Sequence, residues 1–425
     1  MSLWKQRANG REPTQAQRLF RRLVREWLWV GLILLPLTAL LSLSHGLALN
    51  NLFYDNLRRF TPLPVDPRIL LVTIDDYSLQ QLGRWPWPRA LHGQLLDRLT
   101  DANVKGVLFD VILSEPGSTV ENDTQLAAAL CRSGTVFLPV LREGVARYRQ
   151  DLEEIPPVPL LRHCARGLGH INAEADADGT VRSVYLREGP QQAPRAQLTW
   201  LLYQLTEADP LSSLMPGPAT AQISRGWLRA NPVRIAFIDK AAGFPSVPYV
   251  SVLRGEVPAE LLRDRLILVG STAPGLGDRY VTPQSGSQGT TPGVEIQANL
   301  LNGLLQHRSI VALGQWPGML WSMALTAALL GLLLWRPRHA LWITLGCMGL
   351  ALLGSVLMLR LGYWWSPVAS LLGMLLAYLI WNWRRLSVIL AYFGWELERL
   401  DNEPKVLPER RRGQTPVGDV LQGQI

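Results

Sequence analysis

The placement of long apolar segments constrains this chain more than any other feature. One segment covers residues 27–49, and three more lie close together at residues 316–335, 340–359 and 364–383. No Asp, Glu, Lys or Arg interrupts them, and each approaches the ~20 residues with which a helix crosses the hydrocarbon core of a bilayer. We therefore predict four transmembrane helices and, between the first two, one globular segment of residues 50–315.

The distribution of Lys and Arg predicts how these segments are oriented. Seven basic residues lie in the tail 1–26, an Arg-Pro-Arg-His turn joins the second and third segments, and Arg384 and Arg385 follow the fourth. Positive loops stay on the cytoplasmic side of a membrane. The tail 1–26 and the segment 384–425 are therefore predicted to be cytoplasmic, and the globular segment is predicted to be extracytoplasmic.

The formal net charge of +8 does not call for a nucleic-acid partner. The excess follows from the positive-inside bias of a membrane protein rather than from a basic binding face. Eight of the sixteen tryptophans stand near the ends of the apolar segments, where membrane interfaces favour aromatic side chains. We expect a membrane partner and no nucleic acid.

The globular segment alternates between strand and helix patterns. Strands are predicted over residues 69–75, 104–113, 135–140, 233–238 and 265–271, and helices over residues 89–102, 122–131 and 294–305. Residues 176–179 read as a hairpin turn, and residues 212–226 as a loop. This alternation predicts an α/β exported domain with a mostly parallel sheet and helices on both faces.

Two cysteines in the globular segment are candidates for a disulfide. Cys131 and Cys164 each end a predicted helix just before a predicted strand, whereas Cys347 lies within an apolar segment. Disulfides persist outside the cytoplasm, and equivalent positions in neighbouring units would bring the two thiols together. The alternative is a pair of small buried side chains.

Six separated motifs have a familiar order and spacing. They are TIDDYSLQQLGRWPWPR, VKGVLFDVILSEP, NDTQL, DADGTVRSV, LILVGSTAPGLGDRYVTP and PGVEIQANLLNGLL. Together they resemble the CHASE domain, type 2 (CHASE2), a sensory extracellular domain associated with cyclases and histidine kinases, over residues 50–306. One departure is Gln297, where the family motif is expected to carry His.

The resemblance implies the input module of a bacterial inner-membrane receptor with its sensor domain in the periplasm. Such a module senses an extracytoplasmic signal and relays it through the three later spans to a cytoplasmic histidine kinase or cyclase, as in a two-component system. Residues 392–408 resemble the linker before the kinase, and the 42 residues of 384–425 are too few for a catalytic domain. We therefore expect no enzyme activity and no cofactor in this chain, and a homodimer as the working unit.

Acidic residues at predicted strand ends form the first group of ligand-binding candidates. Asp75 and Asp110 close two strands that we predict to be parallel neighbours, and ligands favour the carboxyl ends of such strands. Asp76, Glu115 and Asp123 would add the oxygen ligands that a hard cation requires. The alternative is that these acids cap helices and turns.

The Trp-Pro-Trp-Pro loop and a later glycine-rich loop supply the other candidates. Trp85 and Trp87 would face a ligand, a partner subunit or the membrane surface, with Arg89 able to hold an anion; the alternative is a hydrophobic plug over the sheet. Asp278 lies in the glycine-rich loop, which lacks the Lys-Ser/Thr pair of a nucleotide-binding loop.

Two other functions remain open at this point. The chain could be a standalone membrane partner or scaffold that regulates another protein through its exported domain. It could also be an exported enzyme that uses a divalent metal at Asp75 and Asp110.

Overall fold

The computed structural model describes residues 15–44, 48–59, 63–145, 151–206, 221–239, 242–277, 279–285 and 289–402. The helices are α1 Gln15–Leu43, α2 Ala48–Arg59, α3 Asp76–Leu82, α4 Arg89–Asp101, α5 Val120–Ser133, α6 Pro159–Cys164, α7 Leu198–Gln204, α8 Tyr249–Leu253, α9 Ala259–Leu262, α10 Gly293–Leu305, α11 Gln315–Trp335, α12 Ala340–Arg360 and α13 Val368–Asn402. The strands are β1 Ile69–Ile74, β2 Gly106–Phe109, β3 Val136–Val145, β4 Asp151–Ile155, β5 Gly167–His170, β6 Glu174–Ala175, β7 Val181–Pro190, β8 Arg195–Ala196, β9 Gln222–Ser224, β10 Trp227–Arg234, β11 Ser246–Pro248, β12 Leu266–Ser271, β13 Arg279–Tyr280, β14 Thr291–Pro292, β15 Val311–Ala312 and β16 Tyr363–Trp364.

A seven-stranded sheet forms the centre of the globular segment, within the described ranges. Its strand order is β11-β1-β12-β2-β3-β4, and β5 also pairs with β3. The pairs are parallel except for β3 with β4. Every residue of β1 is buried, because a parallel sheet is covered on both faces and its strands are apolar throughout.

Helices cover both faces of this sheet, as the sequence predicted. On one face, side chains of α4, α5 and α8 pack on the strands around the fully buried Leu95, Leu126 and Tyr249. On the other face, α7 and α10 separate the main sheet from a second, antiparallel sheet of order β6-β7-β10-β9. This second sheet was not predicted, because the sequence between residues 151 and 239 alternates less regularly.

Helix α10 is buried between the two sheets. Val294 packs so closely on β12 that a Cβ at Gly270 would lie 2.6 Å from the Val294 Cβ, so only glycine fits there. Two buried amides on α10 bind neighbouring backbone: Asn299 Oδ1 accepts from the Ile238 N–H at 2.8 Å, and Asn302 Oδ1 accepts from the Asp66 N–H at 2.8 Å. These bonds satisfy polar groups that burial would otherwise leave unpaired.

Several predicted element boundaries are wrong. The strand predicted at residues 233–238 is the end of β10, which covers Trp227–Arg234. Strand β2 ends at Phe109 rather than at residue 113, because the chain turns sharply where the Val111 N–H bonds the Phe109 carbonyl at 2.9 Å. Helix α5 begins at Val120, and its cap is Thr119, whose hydroxyl accepts from the Asn122 N–H at 3.3 Å. The residues after β2 therefore form an irregular loop, 110–118, rather than an extension of the sheet. The predicted loop at residues 212–226 lies largely outside the described residues, and β9 occupies part of the remainder.

Helices α1, α11, α12 and α13 pack side by side as a bundle next to this α/β domain. Trp27 stacks on Trp381 with ring centroids 4.9 Å apart, so α13 runs along α1. Three helices in the described part of the chain are long and apolar enough to cross a membrane: Arg25–Leu43, Gln315–Trp335 and Pro337–Arg360.

The prediction of a fourth span at residues 364–383 is corrected. Tyr363 and Trp364 pair with β15 as strand β16, and the helix begins only at Val368. Arg384 then ends the apolar stretch, which falls short of the ~20 residues that a span needs. The first predicted span is also shorter than expected, because α1 ends at Leu43 and a separate helix, α2, begins at Ala48.

The domain and the bundle meet in a layer that we call the junction, formed by α2, β15 and β16. Tyr54 of α2 packs edge-on against Trp364 with ring centroids 4.8 Å apart, and the Arg234 guanidinium lies 4.5 Å from the Tyr54 ring centroid. The buried Arg182 bonds Asp55 of α2 at 2.7 Å and holds the hairpin carboxylate Asp178 at 2.9 Å. Aromatic packing and ion pairs therefore tie the domain to the bundle.

A disulfide joins α5 to α6 through Cys131 and Cys164, which are separated by 33 positions. We expect Cys131→Ser to lower the free energy of unfolding by about 3–4 kcal/mol, because the bond restricts a loop of this length in the unfolded chain. Urea unfolding of the oxidised protein measures the difference. Reduction of the unsubstituted protein should reproduce it, and equal midpoints for all samples would contradict the expectation.

Candidate functional site

A cavity of about 800 Å³ opens at the carboxyl ends of the main sheet. It lies beyond the last residues of β1 and β12, Ile74 and Ser271, and beside Asp110, which follows β2. The loop 110–118 forms one side, and Gly293 in the first turn of α10 forms another. We call it the strand-end cavity. Its volume and position are those expected for a small-molecule site in a parallel α/β sheet.

The Trp-Pro-Trp-Pro loop forms an aromatic wall of this cavity. Trp87 is buried, packs on Tyr249 with ring centroids 4.9 Å apart, and donates from Nε1 to the Gly83 carbonyl at 2.9 Å. Trp85 is half-buried, lines the cavity, and meets Trp87 in a T-shaped contact at 5.2 Å. Both rings line the cavity; Trp87 is a buried plug over the sheet, and Trp85 is the more exposed of the two.

Arg89 and Asp123, both predicted as ligand-binding residues, bind each other. Arg89 Nη1 lies 2.6 Å from Asp123 Oδ1, and Arg89 Nη2 donates to the Glu115 carbonyl. The Gly117 N–H donates to Asp123 Oδ2 at 3.0 Å, and a Cβ at Gly117 would lie 2.5 Å from Asp123 Oδ1. This ion pair therefore fastens the loop 110–118 to α4 and α5, while the Glu115 side chain is exposed.

Asp75 and Asp110 do not lie on neighbouring strands, which corrects the prediction. Strand β12 is inserted between β1 and β2, so the two carboxylates belong to different surroundings. Asp75 caps α3 by accepting from the Ser78 N–H at 2.8 Å, and Asp76 lies exposed in the first turn of that helix. Helix caps of this kind are a common structural use of acids at strand ends.

Asp75 lines a second, more polar cavity of about 620 Å³. Its other walls include Glu295 of α10 and Arg279, which donates to the Thr290 hydroxyl at 2.8 Å and to the Thr272 carbonyl at 3.1 Å. Among the described residues, no group of three or more His, Cys, Asp or Glu side chains is arranged to hold a metal ion. The candidate Asp278 lies outside the described residues.

His92 lines the strand-end cavity and was not predicted as a site residue. Its Nδ1 lies 2.7 Å from the Tyr249 hydroxyl, and its ring is almost wholly buried. Burial, aided by the nearby charge of Arg89, lowers the pKa of His92 to about 4, and burial raises the pKa of the Tyr249 phenol well above its usual value. Both groups are therefore uncharged at neutral pH. In the sequence, His92 lies three residues after Arg89, so both belong to the buried face of α4. That spacing could have indicated that His92 lies close to the predicted site residue Arg89.

Gln297 connects α10 to the neighbouring elements at the back of the cavity. Its Oε1 accepts from the Thr199 hydroxyl at 2.7 Å and from the Gln197 amide, and its Nε2 donates to the Ile171 carbonyl at 3.1 Å. An amide can accept and donate at the same time, so Gln297 bonds all three neighbours although it stands where the family motif is expected to carry His.

We expect the Arg89–Asp123 pair to be essential for stability, because it is buried and its loss leaves an unpaired charge. Arg89→Met should lower the free energy of unfolding by about 3–5 kcal/mol. The matched control is Arg132→Met, which breaks the exposed pair with Asp97 at 2.7 Å and should cost less than about 1 kcal/mol. Urea unfolding measures both, and equal losses would contradict the burial argument.

Stability should also fall in acid because of His92. The unfolded chain binds a proton at the ordinary pKa of 6.5, whereas the folded protein keeps this imidazole neutral down to about pH 4. Between these values, the contribution of His92 should therefore lower the free energy of unfolding by up to about 1.4 kcal/mol for each unit by which the pH falls.

Urea unfolding across this pH range, compared between the wild type and His92→Gln, isolates the contribution of His92. In the variant, the free energy of unfolding should depend less steeply on pH, by the equivalent of about one bound proton. His170, whose pKa is also lowered to about 4 by burial, contributes to both proteins equally. Parallel pH profiles would contradict the assignment.

Comparison with known proteins agrees with the geometry of the domain. The family model of the CHASE2 domain matches residues 29–336, which include the predicted region of resemblance and extend it into α1 and α11. No curated protein and no solved structure shows significant similarity to the chain. CHASE2 domains are sensor input domains rather than catalytic ones. The chain belongs to the CHASE2 domain family.

Proposed function

We propose that this chain is the sensing and transmembrane part of a bacterial signalling receptor. In this proposal the strand-end cavity binds an extracytoplasmic signal, and the bundle carries the response across the inner membrane to a cytoplasmic histidine kinase or cyclase. Membership of a sensor input family supports the sensing role. Three helices able to cross a membrane support the transmembrane role.

The observation that carries this proposal is the course of α10. Its first turn lines the strand-end cavity through Gly293, Val294 and Gln297, and its last turn ends at Leu305. Six residues later, β15 pairs in parallel with β16, and α11 begins at Gln315. A single buried helix therefore leads from the cavity to the segment 306–314, which contains β15 and enters α11.

Strand pairing joins this path to the rest of the bundle. The Val311 N–H donates to the Gly362 carbonyl at 2.9 Å, and the Leu313 N–H donates to the Trp364 carbonyl at 2.7 Å. Because β16 lies between α12 and α13, a displacement of β15 would act on the ends of both helices. Ligand binding that favours one position of α10 would then shift the bundle between two states.

The ends of the bundle differ in the way that the proposed orientation requires. At the end near the domain, the Ser366 hydroxyl bonds the Asn50 side chain at 2.6 Å. At the opposite end, Arg384 pairs with Glu26, and the exposed Arg336 and Arg338 flank the turn between α11 and α12. Basic residues favour the cytoplasmic side, so the domain would lie in the periplasm.

Helix α13 continues past Arg384 and supports the proposed homodimer. Leu386, Leu390, Phe393 and Leu397 are all exposed on it. Their spacing of four, three and four residues is that of a coiled-coil seam. Two copies in the same orientation would pair these seams in parallel and present a shared rod to the output.

The relay can be tested by filling the cavity. We expect Ser114→Trp, which adds bulk to a residue lining the cavity, to change the distance between spin labels at His339→Cys and Arg385→Cys at the far end of the bundle. A change of about 1–2 Å is the scale of helix shifts in such transitions. Pulsed electron resonance on the full chain in lipid nanodiscs, with Cys347→Ser, measures it.

Two further variants complete this test. Tyr77→Trp changes an exposed residue that does not line the cavity and should leave the distance unchanged. Arg182→Met should reduce the effect of Ser114→Trp, because Arg182 ties the domain to α2. Identical distances in the Ser114→Trp and Tyr77→Trp proteins would refute the relay.

A further inference from the structure

We propose that the strand-end cavity takes a small uncharged molecule with a flat conjugated ring, and that this ring stacks on Trp85. This inference rests on the proposed function, because it names the class of signal that the cavity would bind. It is carried by three features of the described residues: a fixed aromatic surface, apolar side chains elsewhere in the lining, and charged side chains that are already paired or that repel anions.

The indole of Trp85 is held in place by other aromatic rings. It contacts Trp87 at 5.2 Å and His92 at 5.6 Å between ring centroids. These two rings in turn pack on Tyr249 at 4.9 and 5.9 Å, and Tyr249 and Trp87 are buried. A surface fixed in this way loses little conformational entropy when a ligand ring stacks on it.

The rest of the cavity lining includes a set of apolar side chains. Ile171 follows β5, Val294 and Ile296 belong to α10, and Leu276 lies in the loop after β12. Ile171 and Leu276 are partly exposed and would remove part of a ring from water, which is the main favourable contribution to binding of an apolar group. Val294 and Ile296 are almost wholly buried and line the cavity from α10, so a ligand in the cavity would lie against the helix that leads to the bundle.

Among the described residues that line the cavity, each charged side chain either has a partner within the protein or carries a negative charge that repels anions. The guanidinium of Arg89 is neutralised by Asp123 at 2.6 Å, and His92 is neutral at physiological pH. Asp110 already interacts within the protein, and the exposed Glu115 adds a second negative charge. An anion would therefore meet two carboxylates and no available cation, and a cation would find no buried carboxylate without a partner.

Two probes that differ in charge test the inference directly. We would measure binding of 5-fluoroindole and 5-fluoroindole-3-acetate to the full chain in nanodiscs by fluorine NMR, with empty nanodiscs to subtract partitioning into lipid. We expect 5-fluoroindole to bind at least about tenfold more tightly than the acetate. Equal or tighter binding of the acetate would overturn the proposed class.

Variants locate the probe within the protein. Trp85→Ala should weaken 5-fluoroindole binding by about tenfold, the scale of a ring-stacking contact, and Ser114→Trp should abolish binding while Trp85 is still present. Tyr77→Ala, which removes an exposed aromatic ring outside the cavity, should have no effect. Unchanged binding in both Trp85→Ala and Ser114→Trp proteins, at unchanged thermal stability, would refute the site.

The same samples separate this inference from the proposed function. If Ser114→Trp shifts the label distance across the bundle but 5-fluoroindole does not bind, the ligand class is wrong and the relay stands. If 5-fluoroindole binds at Trp85 but neither it nor Ser114→Trp shifts that distance, the ligand class stands and the relay is wrong.

Discussion

The rest of this structure depends on the burial of α10 between two sheets. The helix can approach β12 only because Gly270 has no side chain where Val294 packs. Its buried amides, Asn299 and Asn302, hold backbone groups of the segments that flank it. Protein interiors are close-packed and transmit strain. In the proposed relay, a change at one end of this helix would therefore reach the other end and connect the cavity to the bundle.

The acidic and basic residues near the cavity serve mainly to shape it. Arg89 and Asp123 fasten the loop 110–118, and Asp75 caps α3. This use of charge leaves Trp85 and the apolar side chains of α10 as the groups that a ligand would contact. In the proposed ligand class, the site is therefore an aromatic surface held by structural ion pairs and caps, rather than a cluster of free charges.

The sequence predicted the local elements better than their arrangement. The apolar run at residues 69–75 predicts β1, and the leucine spacing at residues 89–102 predicts the covering helix α4. Both predictions succeed because each pattern depends only on residues close together in the chain. No local pattern indicates that β12, almost two hundred residues after β1, inserts between β1 and β2 and separates Asp75 from Asp110. Hydrogen bonding between strands distant in the chain is decided by the packing of the whole domain.

Other differences have similarly physical causes. The fourth apolar segment, residues 364–383, is long enough in the sequence to span a membrane. In the structure, Tyr363 and Trp364 pair with β15, so the helix begins later and its apolar part is shorter. The cavity wall was visible as a Trp-Pro-Trp-Pro loop, yet only tertiary packing decides that Trp87 is buried and Trp85 faces the cavity. His92 could not be assigned a role because its partner, Tyr249, lies 157 positions away.

The most direct test of the relay is hydrogen exchange, measured by mass spectrometry, in the full chain with and without Ser114→Trp. If α10 transmits the state of the cavity, amide protection should change together in the peptides that cover α10, β15 and β16, where Val311 and Leu313 bond the β16 strand. A change confined to the loop 110–118, with α10 and both junction strands unaffected, would contradict the account.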